Sequence, residues 1–283
     1  MAFRDLGFRV DVLVLGNTGF RRDYFTPIAT VPELDLLAYD CTIAHYSLSA
    51  YFPILFGLHP LAVTFHGSDI IGPLDSYSGW VAERAEYLIA VSQGLSRKIS
   101  PRCRVASMGT DLEAFHEMNQ ADARRVLGLA QGTPVVFFPS DPNNPLKGFQ
   151  LAERTVHCLE QSLGCPVHLL TASQLPAREM ALLFNAADCT LITSLREGGP
   201  IVARESLACN TPLVSVDVGF MPELHSPNAG CSVVERDPSL LAIAVAGHLH
   251  RKPVDPPRTL VADDGLQDAA RRFLECAGLA AGE

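Results

Sequence analysis

The sequence predicts an α/β protein built from two Rossmann-like domains with parallel sheets. Its 283 residues, 48% of them hydrophobic, exceed one ordinary core and suit two domains of about 100–150 residues each. Short apolar runs alternate with helix-length segments from end to end. Strands joined in this way need crossovers, so the sheets are expected to be parallel and covered on both faces.

The expected strands are Val10–Leu15, Cys41–His45, Leu61–Phe65, Tyr87–Val91, Arg104–Ser107, Pro134–Phe138, Val167–Thr171, Cys189–Thr193, Pro212–Val216 and Cys231–Val234. Leu48 to Phe65 is apolar enough to suggest a membrane span, but Pro53, Gly57, His59 and Pro60 divide it into helix, turn and strand. Within Lys147–Leu163, residues Ala152, Val156, Leu159 and Leu163 recur at helical spacing, and Leu240, Leu241, Ala244, Val245 and Leu249 do the same. A helical stretch from Ala121 to Leu127, followed by Gly128, Gly132 and Thr133, marks the passage between domains. The expected division is 1–115, 116–262 and a carboxyl-terminal helix and tail at 263–283, with the helix at Gly265–Cys276 free to fold back on the first domain.

Composition removes several function classes. A net charge of −9 argues against a nucleic-acid binder, which needs a basic footprint. Arg4 and Asp5 fall where a secretory signal needs apolar residues. Eight cysteines with no C-x-x-C pair fit small thiols in a reducing compartment. A cytoplasmic protein is expected, with peripheral attachment to a membrane left open. No G-x-G-x-x-G links a first strand to a helix, so a nicotinamide-dependent enzyme is disfavoured.

In parallel α/β sheets ligands bind beyond the carboxyl ends of the strands, where helix amino termini offer free N–H groups. His66, Lys147, Glu197 and the segment Met108–Asp111 all fall at such ends. In Glu197-Gly-Gly-Pro-Ile-Val-Ala-Arg-Glu205, Pro200 fits the first turn of a helix. Gly198 and Gly199 admit a close ligand, and their amides, with those of Ile201 and Val202, are expected to face an anion. The helical rise separates Glu197 and Glu205 by roughly 10 Å. One carboxylate could then serve a sugar and the other a ribose, with a diphosphate between. Incidental glutamates on a solvated helix start account for the spacing equally well. A lysine opening a helix is badly placed for the dipole, which favours an anionic partner for Lys147. His45 ends a strand and is a second candidate on the acceptor side. Asp69 either caps a helix or contacts an acceptor.

The segment Glu197–Glu205 resembles the paired-glutamate motif of the retaining glycosyltransferases of family 4, whose GT-B fold sets two Rossmann-like domains face to face across a cleft. Phe184-Asn-Ala-Ala-Asp188, Glu205 to Gly219 and Pro222-Glu223 agree with it. So, in order, do Thr64-Phe-His-Gly-Ser-Asp69, Ile89-Ala-Val-Ser-Gln93 and Met108-Gly-Thr-Asp-Leu112. The resemblance implies transfer of a sugar from a UDP- or GDP-type donor to a glycan, lipid or small-molecule acceptor. It gives Glu197 the sugar hydroxyls, Glu205 the ribose, and the amides of Gly198, Gly199, Ile201 and Val202 the diphosphate or sugar. Lys147, with Ser140 in the same loop, would meet the phosphates, and His66 would lie near the reacting carbon. No cofactor and no metal is implied.

Two departures from the family stand out. Its members usually begin with a further βα unit and a glycine-rich loop ahead of the segment resembling Gly7–Val14, so the amino domain is expected to be short by one unit. That shortness would leave a sheet edge open to a second copy or another partner. Many members also carry an arginine shortly before the lysine, where this chain has Ser140 and Asp141. The alternative to an enzyme is a non-catalytic relative that holds nucleotide or glycan, or works with a partner.

Overall fold

The computed structural model describes residues 2–11, 38–70 and 75–279. Contacts divide the chain into two compact units, Met1–Ser107 with Gln267–Glu283, and Met108–Leu266. Each is a parallel α/β layer, the fold class expected from the apolar runs.

The larger unit contains α5 (Gln120–Leu127), β5 (Val135–Phe138), α6 (Phe149–Leu163), β6 (His168–Thr171), α7 (Ala177–Ala186), β7 (Cys189–Ile192), α8 (Ile201–Ala208), β8 (Leu213–Val216), α9 (Met221–Leu224), β9 (Cys231–Val234) and α10 (Pro238–His250). Its sheet runs β6-β5-β7-β8-β9, every pair parallel. The chain winds from β5 to β6 on one side, then returns to place β7 on the other side of β5. Such a reversal opens a crevice beyond the carboxyl ends of the two strands. The loops after β5 and β7 therefore meet there.

All four residues of β5, β7 and β8 are buried, as continuous apolar runs covered on both faces should be. Phe137 and Phe184 pack edge to face at 5.1 Å between centroids. On α6 the expected stripe is buried at Ala152, Val156 and Leu159, while Leu163 is partly buried against the core. On α10, Leu241 and Val245 are buried but Leu240 is 41% exposed. That helix is apolar almost all round near its start, and the core covers only one stripe of it. Asp237 caps it by accepting from the N–H groups of Ser239 and Leu240, which satisfies two donors that a helix start leaves free. Where the unit's chain enters and leaves, Thr110 N–H donates to the Asp264 carbonyl at 2.8 Å, and Thr110 bridges Gly265 in parallel.

The smaller unit contains α1 (Ala2–Asp5), β1 (Thr42–His45), α2 (Tyr51–Leu55), β2 (Leu61–Phe65), α3 (Asp75–Ala82), β3 (Tyr87–Ala90), α4 (Gln93–Ile99), β4 (Arg104–Val105) and α11 (Leu266–Cys276). Its strands lie in the order β1-β2-β3-β4. The strand expected at Val10–Leu15 falls outside the described residues from position 12 on. The apolar face of α11 joins this sheet, Phe273 and Ala277 meeting Ala62, Ile89 and Ala106. Arg104 donates to the Glu275 carbonyl at 3.1 Å. Among the described residues no helix is long and apolar enough to cross a membrane. As expected, Leu48–Phe65 breaks into a 3-10 turn, a short helix and a strand.

Candidate functional site

The loop after β5 turns at Asn144, whose Oδ1 accepts from Leu146 N–H, and closes in a 3-10 turn at Pro145–Lys147. Lys147 thus ends this turn and does not open α6, a correction to the sequence reading. Gly148 stands between them at φ 69° and serves as the N-cap of α6. A side chain there has no room, because a Cβ would lie 2.2 Å from the Thr193 carbonyl oxygen.

The loop after β7 is locked against this one. Leu195 N–H donates to the Leu146 carbonyl at 2.8 Å. The Thr193 hydroxyl lies 3.2 Å and 3.0 Å from the carbonyls of Lys147 and Gly148. Lys147 Nζ then meets Glu197 Oε1 at 2.6 Å, and Ser194 Oγ donates to the same oxygen at 2.7 Å. With side chains 29% and 15% exposed, the pair is shielded but open to a ligand. Ser140 lies half-buried at the start of the same loop, its N–H donating to the Phe138 carbonyl.

Gly198, Gly199 and Pro200 carry the chain into α8. Pro200 is the N-cap and not a first-turn residue, which corrects the sequence reading, and no side chain caps this helix. The leading amides of Ile201 and Val202 thus carry no side-chain cap, at a helix end that favours anions. The loop after β8 presses on this turn. Gly219, at φ 57°, lies so close that a Cβ would stand 3.0 Å from both Gly199 Cα and Pro200 Cδ. Within α8, burial pushes the Glu205 carboxyl up to about 7. Its neighbour Arg204 pairs with Asp264 at 2.8 Å and lies 3.9 Å over the Phe220 ring. Lys147, Glu197 and the turn Gly198–Val202 thus come together in the larger unit, and Glu205 lies further along α8.

His45, His66 and Asp69 belong to the smaller unit. Asp69 is fully buried, accepting from the N–H groups of Ser47, His66 and Gly67 at 3.1, 3.1 and 2.9 Å. The acceptor-contact alternative for Asp69 is thereby overturned: its carboxylate ties the ends of β1 and β2 together. It also anchors the turn at Tyr46, whose φ of 77° costs a non-glycine residue about 1–3 kcal/mol. His45 Nδ1 and His66 Nε2 are 3.3 Å apart, and His45 stacks on Phe273 at 5.7 Å. His45 keeps an exposed edge. Even so, desolvation, with the neighbouring His66, lowers its pKa to about 4, and desolvation alone does the same for His66. Both rings are neutral at pH 7, so one donates and the other accepts.

Thr193, Ser194, Gly148, Gly219 and Arg236 also build the larger unit's cluster, and the sequence reading did not select them. Arg236 lies two residues beyond β9, so the strand-end rule that selected Lys147 applies to it equally. The two glycines owe their roles to close approaches between distant segments, which spacing does not reveal. Among the described residues no group of three or more His, Cys, Asp or Glu is placed to hold a metal ion.

Residues 146–256 match the family model of glycosyl transferases group 1. The chain is similar to the MMP alpha-(1->4)-mannosyltransferase of Mycolicibacterium hassiacum, 36% identical over 115 residues, covering 39% of this chain and 27% of that protein. It is also similar to the D-inositol 3-phosphate glycosyltransferase of Nocardia farcinica, 26% identical over 245 residues, covering 76% of this chain and 50% of that one. The matched segment thus spans half or less of either relative's length. Among solved structures, Anabaena HepE in complex with UDP aligns with TM-score 0.70 at 18% identity, covering 85% of this chain and 79% of that chain. Sucrose-phosphate synthase from Thermosynechococcus elongatus aligns with TM-score 0.67 at 20% identity, covering 84% and 72%. At these identities the likeness is one of fold.

Proposed function

Residues 146–256 match the group 1 glycosyl transferase family model, and from that likeness we propose that the chain transfers a sugar from a nucleoside-diphosphate sugar, with retention at the anomeric carbon and without a metal. The observation that carries this reading is the 2.6 Å contact of Lys147 Nζ with Glu197 Oε1 at the mouth of an uncapped helix. An ion pair beside free amides is a ready place for a sugar diphosphate. The ligand can exchange both partners, phosphate oxygens taking Lys147 and sugar hydroxyls donating to Glu197. Ser194 keeps Glu197 oriented throughout. As the sugar–phosphate bond breaks, charge grows on the leaving oxygen, where Lys147 and the amides of Gly198, Gly199, Ile201 and Val202 stabilise it. A metal is not needed for that task. Glu205 accepts from the ribose, and neutral His66 offers a hydrogen bond near the reacting carbon. The acceptor is a glycan, lipid or small molecule. UDP is the first base to test, because the HepE structures hold UDP and UDP-glucose.

Saturation-transfer NMR against a panel of UDP- and GDP-sugars tests this. At least one donor is expected to bind, with a nucleoside diphosphate raising Tm. Silence from the whole panel rejects the reading. Binding with no transfer to any offered acceptor, and no slow hydrolysis, favours the non-catalytic relative instead.

A pH dependence follows from Glu205. Its hydrogen bonds from ribose hydroxyls select the ionised carboxylate, whose folded pKa is about 7 against an ordinary 4.5. Affinity for UDP-glucose, whose diphosphate does not titrate in this range, is expected to rise from pH 6 to pH 8. The limiting slope is about tenfold per pH unit below the pKa. Glu205→Gln should flatten the profile, and a wild-type profile equally flat rejects the ribose role. Without ligand the sign reverses. A raised folded pKa contributes stability below about pH 4.5 that is lost as pH rises through about 7.

A further inference from the structure

The diphosphate of the proposed donor carries two negative charges, and the loop after β5 offers one cation. That cation, Lys147, already stands 2.6 Å from Glu197. Just upstream the same loop holds Ser140 and Asp141, neither of them positive. A second positive group reaches this point from elsewhere. Arg236 lies two residues beyond β9 and reaches the end of β7, although β8 stands between those strands in the sheet. Its Nη1 donates to the carbonyls of Thr193 and Ser194, both at 2.8 Å. Its Nη2 lies against Gly148, 2.8 Å from where a Cβ would stand. Among the described residues nothing accepts from Nη2 or Nε.

A guanidinium presents five donors in a fixed fork. The two carbonyls take Nη1 and fix the plane, while the rest of the fork stays open. Nη2 rests at the amino terminus of α6, a helix of 15 residues, against Gly148, the residue that follows Lys147. Cations are disfavoured at that end of a helix, and here two share it with the single carboxylate of Glu197. A role confined to clamping the loop accounts for Nη1 and leaves the remaining donors unexplained. An anion between the cations satisfies all of it.

We propose that Arg236 is the second cation for the donor's diphosphate, held by the carbonyls of Thr193 and Ser194 so that its free donors meet phosphate oxygens opposite Lys147. The assignment rests on the transferase reading above. It also gives Gly148 a second purpose, since any side chain there would displace the guanidinium.

The test compares UDP with UMP by titration calorimetry for wild type, Arg236→Ala, Arg236→Lys and Arg196→Ala, with inorganic pyrophosphate as a further probe. Wild type should bind UDP more tightly than UMP. Arg236→Ala should lose about tenfold or more of that preference with UMP affinity unchanged, and Arg236→Lys should keep part of it. Arg196→Ala, which removes a like charge beside Glu197, should keep it all. If Arg236→Ala unfolds, Arg236→Gln removes the charge while leaving a donor for the carbonyls. A preference for UDP that survives loss of the Arg236 charge overturns the assignment alone, as does an equal loss for UDP and UMP. Wild type that binds neither UDP nor pyrophosphate overturns the transferase reading and this assignment with it.

Discussion

Lys147→Ala is expected to lower turnover by about 10²–10³-fold, the range seen when one preorganised donor to a developing negative charge is removed. The effect should be concentrated in the chemical step, because the role proposed for Lys147 is with the phosphate that leaves and not with the nucleoside. Affinity for UMP should stay within about twofold, on the order of 0.4 kcal/mol. Single-turnover rates with a competent donor, beside UMP titrations, separate the two. An unchanged rate removes Lys147 from the mechanism.

Gly148→Ala is the structural counterpart. The backbone at φ 69° lies in the left-handed region, and the new Cβ would stand 2.2 Å from a backbone oxygen that cannot rotate aside. Left-handed strain and overpacking together should cost about 2–6 kcal/mol. Urea unfolding should report it as a lowered midpoint at constant slope. Gly164→Ala supplies the control. Gly164 closes the other end of α6 at φ 68°, but a Cβ there meets nothing within 4 Å. It should cost only the left-handed penalty, about 1–2 kcal/mol. Equal losses at the two glycines would show that the packing of Gly148 on Thr193 contributes nothing.

The strands were legible because most are short apolar runs bounded by turn residues, and β2, β5, β7 and β8 are buried throughout. All nine described strands fall within the expected runs, and Leu61–Phe65 and Cys231–Val234 agree to the residue. The sheet order was not legible, since the reversal at β5 depends on which side a crossover takes and leaves no mark in periodicity. Yet that reversal brings Lys147 to Glu197 from fifty residues away. Of the candidate site, spacing and end chemistry singled out the glycine turn, the two glutamates and Lys147, but the ion pair between Lys147 and Glu197 was not legible. Asp69 shows where the strand-end rule fails. A polar residue at a strand end serves a ligand only if its own backbone leaves it free, and here three N–H groups claim the carboxylate. Leu240 shows the opposite limit. An apolar residue on a nearly all-apolar helix faces the core or water according to the width of the neighbour, which the sequence of the helix does not contain.

The pairing of Thr110 with Gly265 has a practical side. The larger unit is a single uninterrupted stretch, and its two ends are fastened together like the handles of a bag. A cassette cut at those ends begins and finishes at one spot on its surface, the arrangement that lets a domain be transplanted or expressed alone. The unit that carries the proposed donor site can therefore be weighed apart from the other.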